Sequence, residues 1–291
     1  MAGQLSLETP KTKRTKKTLG GLLVIRDSRV GMVGLTLVTF WVLVAIFAPL
    51  IAPYSPLAQD SSAINQGPSA QYPLGTDTMG RDVLSRLVHG SRTILLLAPL
   101  SVICAVIVGA FLGLVGGYFG GIVDEVVMRL LDAIMAFPTI LLYLIIISAI
   151  GPSALNVVIA ITFVGAPGVA RLVRSLTLDI RTRDYIRAAE TRGEHPFFIM
   201  FREILPNARG PIIIDSMLRV GYAIFSIGTL GFLGLGLPPP TPDWGGMISE
   251  ARKYIWTNPL GVLWPALAIS SLVVGLNLFA DGLREESTRY Q

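Results

Sequence analysis

Uncharged runs long enough to cross a bilayer alternate with short charged clusters along the chain, and their spacing predicts six transmembrane helices. No charged side chain occurs from Val30 to Gln59, and Gly31 to about Pro53 is the first predicted span. The uncharged stretch Thr93 to Val123 gives a second, about Thr93 to Tyr118. A third stretch, Ala133 to Ala170, is too long for one helix and is broken by Gly151-Pro152-Ser153. It reads as a hairpin with spans over about Asp124 to Ile150 and Ser153 to Val173. The fifth predicted span covers about Pro211 to Leu237 and stops at Pro238-Pro239-Pro240; the sixth covers about Pro259 to Asp281. The expected fold class is therefore all-α and polytopic, with a tail over residues 1–29 and a membrane domain over 30–291. An external loop is expected over 54–92 and a cytoplasmic loop over 174–210.

The cations in the connecting segments orient these spans. The amino-terminal tail carries seven Lys and Arg against Glu8 and Asp27, and the loop from Arg171 to Arg209 carries eight arginines against five acids. The loop after the first span balances Arg81, Arg86 and Arg92 with Asp60, Asp77 and Asp82. The loop after the fifth balances Arg252 and Lys253 with Asp243 and Glu250. The two cation-rich segments fall on one side of a six-span chain, which makes that side, and both termini, cytoplasmic.

Composition agrees with this pattern. Only 15% of the 291 residues are charged, and the mean hydropathy is +0.63; a soluble domain carries about 25% charged residues. The net charge of +5 sits in flanks beside apolar spans and forms no continuous basic face, so it points to membrane lipid and not to nucleic acid. The single cysteine, Cys104, allows no intrachain disulfide. The first apolar run has no cleavage pattern and reads as a retained signal anchor.

The chain offers little catalytic chemistry. No glycine is followed by lysine, so there is no phosphate-binding Walker loop, and two histidines with one cysteine are too few for a zinc site. Gly151-Pro152-Ser153 lacks the glycine two residues on that a nucleophile elbow requires. The pairs Glu125–Arg129, Arg129–Asp132 and Asp215–Arg219 have helical spacing and are placed at cytoplasmic span ends. No ionisable residue is expected in the middle of any span, which argues against a proton-driven carrier and assigns any energy source to a partner. Gly109, Gly113 and Gly117 recur every four residues, a spacing that lets helix backbones approach closely. The glycines of the fifth span, Gly221 to Gly236, suit either close packing or a flexible segment lining a path. Ser226 and Thr229 are candidate path residues, with hydroxyl bonds to their own helix backbone as the plainer reading.

The loop after the fourth span is the most informative segment. Asp184 to Gly193 reads as a short helix in which Ala188 and Ala189 permit close approach, with Gly193 as a left-handed stop and Pro196 opening a further turn. Phe197, Phe198, Ile199, Met200 and Phe201 then form an apolar run, closed by Leu205 and Pro206. This segment either lies on lipid or inserts as a knob into a cytoplasmic partner.

Ala188, Ala189, Gly193, Leu205 and Pro206 resemble, in type and spacing, the coupling loop of ABC importer permeases; Arg187 stands where that family has Glu. Leu74 to Arg86, Ala136-Phe137-Pro138, Phe232 to Gly245 and Asp281 to Arg284 resemble the dipeptide, oligopeptide and nickel permeases, specifically the second, six-span member of each pair. The resemblance implies a type I ABC importer permease in a bacterial inner membrane, pairing with a homologous permease subunit. It further implies two ATP-binding subunits that hold ATP and Mg, an extracytoplasmic substrate-binding protein, and no cofactor bound by this chain. Residues Arg187, Ala188, Ala189, Gly193, Phe197, Phe198, Leu205 and Pro206 would dock the ATPases. Di- or oligopeptides would be the solute, with nickel, an opine or glutathione as alternatives on the same machinery. A stand-alone channel, a secondary carrier and an intramembrane enzyme are the readings from other classes.

Overall fold

The computed structural model describes residues 28–289; the basic tail, except Arg29, lies outside the described residues. The described residues are helical, and the one β-bridge among them, Thr76 with Asp82, is isolated. Helix α1 (Arg29–Ile46) is capped by Ser28, whose hydroxyl accepts from Gly31 N at 3.2 Å, and a short α2 (Ala48–Ile51) follows a break at Phe47. Helix α3 (Val83–Phe119) starts ten residues before the predicted span, because Asp82 caps it by accepting from Ser85 N at 2.7 Å. At 1.5 Å per residue it is about 55 Å long and overruns the bilayer core.

The third predicted span is not one straight helix. It is a pair, α4 (Gly121–Met135) and α5 (Thr139–Ile150), bent by 88° at Ala136-Phe137-Pro138. Pro138 has no N–H to continue the ladder and holds the preceding residue away from helical geometry. Helix α6 (Ala154–Arg181) runs eight residues past the predicted end. After it come α7 (Asp184–Thr191), α8 (Pro196–Phe198), a π-helical turn (Ile199–Ile204) and α9 (Leu205–Phe232). Helices α10 (Trp244–Ala251) and α11 (Leu260–Arg289) complete the chain. Five helices among the described residues are long and apolar enough to cross a membrane, and the bent pair brings the number to six. Large apolar side chains such as Ile107, Ile122 and Leu155 stand exposed along them, which suits a lipid surface.

Backbone contact sets the helix packing. A Cβ on Gly109 would lie 2.5 Å from Ala166 O, and one on Gly117 2.8 Å from Thr177 Cβ; Gly113 abuts Ala170 O in the same way. The glycine stripe of α3 is thus the seat of α6. Gly34 and Gly275 bring α1 and α11 together similarly, and Gly282 packs on Gly31. Two apolar cores result. One joins α1, α3, α6, α9, α10 and α11 around Trp41, Ile94, Ile224 and Trp244; the other joins α3, α6 and the segment around α7.

The charges that balance within the loops after the first and fifth predicted spans pair across them. Arg81 reaches Asp77 and Glu250 at 2.6 Å each, and Arg86 contacts Asp77 and, at 2.7 Å, Glu250. Both arginines are buried, so this network ties the loop before α3 and the start of α3 to α10. Glu250→Gln leaves two buried guanidiniums sharing one carboxylate, and it should lower stability by about 2 kcal/mol. Thermal unfolding of the purified chain in detergent measures this.

Asp243 caps α10 by accepting from Gly246 N at 2.9 Å and is buried, and desolvation pushes its carboxyl up to about 6. The folded state therefore binds the proton more tightly than the unfolded chain. The stability it contributes is greatest below about pH 4 and is lost as pH rises through about 6. Asp243→Asn removes that titration, so its melting temperature should gain on the parent's between pH 4 and 6; a constant difference would refute the assignment.

Candidate functional site

The segment from Asp184 to Pro206 is a rigid platform with an apolar crest. Helix α7 ends in a Schellman motif: Glu194 N donates to Ala189 O at 3.2 Å and Gly193 N to Glu190 O at 3.0 Å, with Gly193 at φ +74°. His195 caps the next turn by accepting from Phe197 N at 3.3 Å, and Pro196 occupies the first helical position. Farther on, Leu205 N donates to Met200 O, five residues back, and Pro206 cannot donate at all. The missing N–H and the proline ring widen this turn into the π geometry. Leu205 and Pro206 thus set how the platform joins α9.

Burial divides the predicted residues into two groups. Ile186, Ala189, Ile199, Met200 and Ile204 are fully buried against Leu114, Tyr118, Val173 and Ile180. Ala189 therefore serves the chain's own core. Arg187, Ala188, Gly193 and Pro206 are exposed, and Leu205 is half-buried. Phe197, Phe198 and Phe201 stand 46%, 43% and 46% exposed, alternating with the buried pair Ile199 and Met200. The Arg202 guanidinium lies 5.6 Å over the Phe198 ring and the His195 ring stacks on Phe197 at 5.6 Å, so two aromatics are held in place while facing outward. A Cβ on Gly193 would meet nothing within 4 Å, so its glycine answers the left-handed backbone and not a steric limit.

Ion pairs form along α4 and between α4 and α6. Glu125 and Arg129 pair at 2.8 Å, as their spacing predicts. Asp132 does not join Arg129; it pairs with Arg171 at 2.5 Å, because the bend after α4 brings that helix end to α6. Arg174 grips Asp124 with two nitrogens.

Ser226 and Thr229 lie together on the wall of a cavity of about 550 Å³. It is bounded by Val102 and Ala105 of α3, the α4–α5 bend at Pro138, Tyr143, Gly165 of α6, and α9. The Thr229 hydroxyl donates to Phe225 O at 2.9 Å, the self-satisfied state expected of it. Arg219 also lines the cavity. Asp215 and Arg219 were expected at a span end, but α9 begins at Leu205, so Arg219 sits near its middle and opposite the middle of α6. The missed signal was present in the sequence. Asp215, Arg219, Tyr222, Ser226 and Thr229 recur at steps of four and three, a polar stripe on one face of α9.

Comparison with known proteins decides the assignment. The family described as "binding-protein-dependent transport system inner membrane component" matches residues 105–285, and the N-terminal transmembrane domain of oligopeptide transport permease C matches residues 23–68. The chain belongs to this permease family. The dipeptide transport permease DppC of Alkalihalophilus pseudofirmus is 41% identical over 90% of this chain and 86% of its own length. DppC of Haemophilus influenzae is 36% identical over 96% and 97%. The glutathione transport permease GsiD of Pectobacterium atrosepticum is 38% identical over 83% and 81%. A chain of the inward-facing MetNI methionine ABC transporter matches with a TM-score of 0.56 at 20% identity, covering 70% of this chain and 95% of that one. The permease is thus an all-α, multi-pass inner-membrane protein with the type I ABC importer fold, a component of a binding-protein-dependent transport system and not itself a catalyst.

Proposed function

We propose that this permease forms half of the translocation pore of an ATP-driven importer of di- and oligopeptides. A homologous permease subunit supplies the other half, two ATP-binding subunits dock on the cytoplasmic side, and an extracytoplasmic binding protein delivers solute. Both termini lie in the cytoplasm. ATP and Mg belong to the ATPases. The observation that carries this reading is the platform: three outward phenylalanines and Ala188 on a base that is buried in the chain's own core. An apolar crest so firmly seated transmits a push to α6 and α9 instead of absorbing it.

Short peptides are favoured as solute because the DppC relatives reach 41% identity and extend over most of the chain. The GsiD likeness at 38% supports glutathione as the second reading, and glutathione is itself a peptide. The test is uptake of labelled alanyl-alanine into proteoliposomes holding the complete transporter, with and without internal ATP and the binding protein. Uptake that requires both, and that glutathione does not outcompete, meets the proposal. Preference for glutathione moves the assignment to the second reading, and uptake without ATP rejects the importer.

A further inference from the structure

We infer that Arg219 is a carboxylate-binding residue inside the membrane cavity, receiving the terminal carboxylate of a peptide as it passes. The inference rests on the reading of this chain as half of a peptide pore, and it assigns a selective contact to the pore itself.

Four observations meet at this residue. Arg219 lies about 20 Å along α9 from Leu205, inside a candidate membrane span, where an ionised side chain is costly and is kept for a purpose. It lines a cavity of about 550 Å³, within the range of roughly 300–1,000 Å³ typical of small-molecule sites. Its guanidinium is bound strongly at one edge only. Nε contacts Asp215, while the terminal nitrogens make long contacts, Nη2 to Asp215 at 3.4 Å and Nη1 to Gly165 O at 3.5 Å. The Nε–Nη2 edge, which can form paired hydrogen bonds with a carboxylate, is thus held unevenly by Asp215, while the outer edge faces α6; a carboxylate reaches Arg219 by displacing Asp215. The niche is also cut to the side chain: a Cβ on Gly168 would fall 2.9 Å from Nη1.

Asp215 is then the resident counter-ion. It keeps Arg219 ionised when no peptide is present and competes with the arriving carboxylate. Above Arg219 the stripe continues through Tyr222, Ser226 and Thr229 toward the α10 end, and these groups line the same cavity. An acid is captured there by exchange of one carboxylate for another, so the charge at depth is never left bare.

Removing Arg219 and removing Asp215 have opposite expected effects, which separates a ligand site from a structural ion pair. The experiment uses the complete purified transporter with Cys104→Ala and Thr229→Cys, and follows alkylation of the new thiol. Alanyl-alanine should slow alkylation, and alanyl-alaninamide should need about tenfold more for the same protection. Arg219→Gln should abolish the difference between acid and amide, Arg219→Lys should keep part of it, and Asp215→Asn should lower the alanyl-alanine needed several-fold. If Arg219→Gln does not assemble, Arg219→Lys and Asp215→Asn decide. Equal protection by acid and amide, no protection by either, or weaker protection in Asp215→Asn overturns the inference. ATP-driven uptake of alanyl-alanine, measured in parallel on the unmodified complex, tests the importer reading separately: intact uptake with no acid preference removes the Arg219 site and leaves the importer standing.

Discussion

Phe197→Asp with Phe198→Asp should release the ATP-binding subunits while leaving the permease folded in the membrane. Both rings are nearly half exposed, and the residues that seat the segment, Ile199 and Met200, are fully buried beside them. The substitutions therefore remove no core contact, and the melting temperature of the isolated permease should move by less than a degree or two, equivalent to about 0.5 kcal/mol. At a docked crest the effect is far larger. Two aromatic anchors are worth about 2 kcal/mol each or more in an interface, and each new carboxylate would have to be buried unpaired. Recovery of ATPases with the tagged permease should fall at least about 100-fold, and ATP-driven uptake with it. Ile199→Asp is the control with the opposite signature, since it strikes the core and should abolish folded permease altogether. If the double variant kept its ATPases, the crest would be a lipid-facing surface.

Gly113→Leu should prevent accumulation of folded permease. In lipid, helices gain no hydrophobic driving force from meeting, so α3 and α6 hold together by close packing. A Cβ at Gly113 would abut Ala170 O and lie 2.9 Å from both Arg174 N and Val173 Cβ. Two of these neighbours are backbone atoms within a helix and cannot swing aside. The helices would have to separate along the seat that also supports Gly109 and Gly117, at a cost above about 4 kcal/mol. Yield after detergent extraction and size-exclusion chromatography reads the result. Gly210→Ala supplies the contrast: a Cβ there meets nothing within 4 Å. In a helix interior that change should be neutral or stabilising by up to about 1 kcal/mol.

The spans were legible because a bilayer imposes a length on uncharged sequence. The α3–α6 contact was legible in part, since Gly109, Gly113 and Gly117 announce a close approach without naming the partner helix. Cap positions were readable where one residue type carries the geometry, as at Gly193 and Pro196. The 88° bend was harder: Ala136-Phe137-Pro138 was noted as a motif, yet an apolar run of suitable length reads as one span whether or not it is straight. Helix ends were misplaced wherever a polar turn continued the helix beyond the apolar run, as with Val83 to Arg92 and Arg174 to Arg181.

The same cause hid Arg219. Charge was used to mark span ends, so Asp215 and Arg219 were assigned to an end, although their register with Tyr222, Ser226 and Thr229 placed them on one face of a longer helix. The split of the platform into a buried row and an outward row could not be read from Phe197 to Phe201, because five apolar residues in succession show no period. Likewise, Asp77, Arg81, Arg86 and Glu250 look like two separately balanced loops, and only the fold makes them one network.

The central claim is that this permease works by gripping ATPases through the segment from Arg187 to Pro206. Its most direct test is purification of the tagged chain from native membranes, with identification of the proteins that come with it. The account predicts a second permease together with ATP-binding subunits bearing Walker motifs. Recovery of the chain alone, stable and associated only with copies of itself, would contradict it.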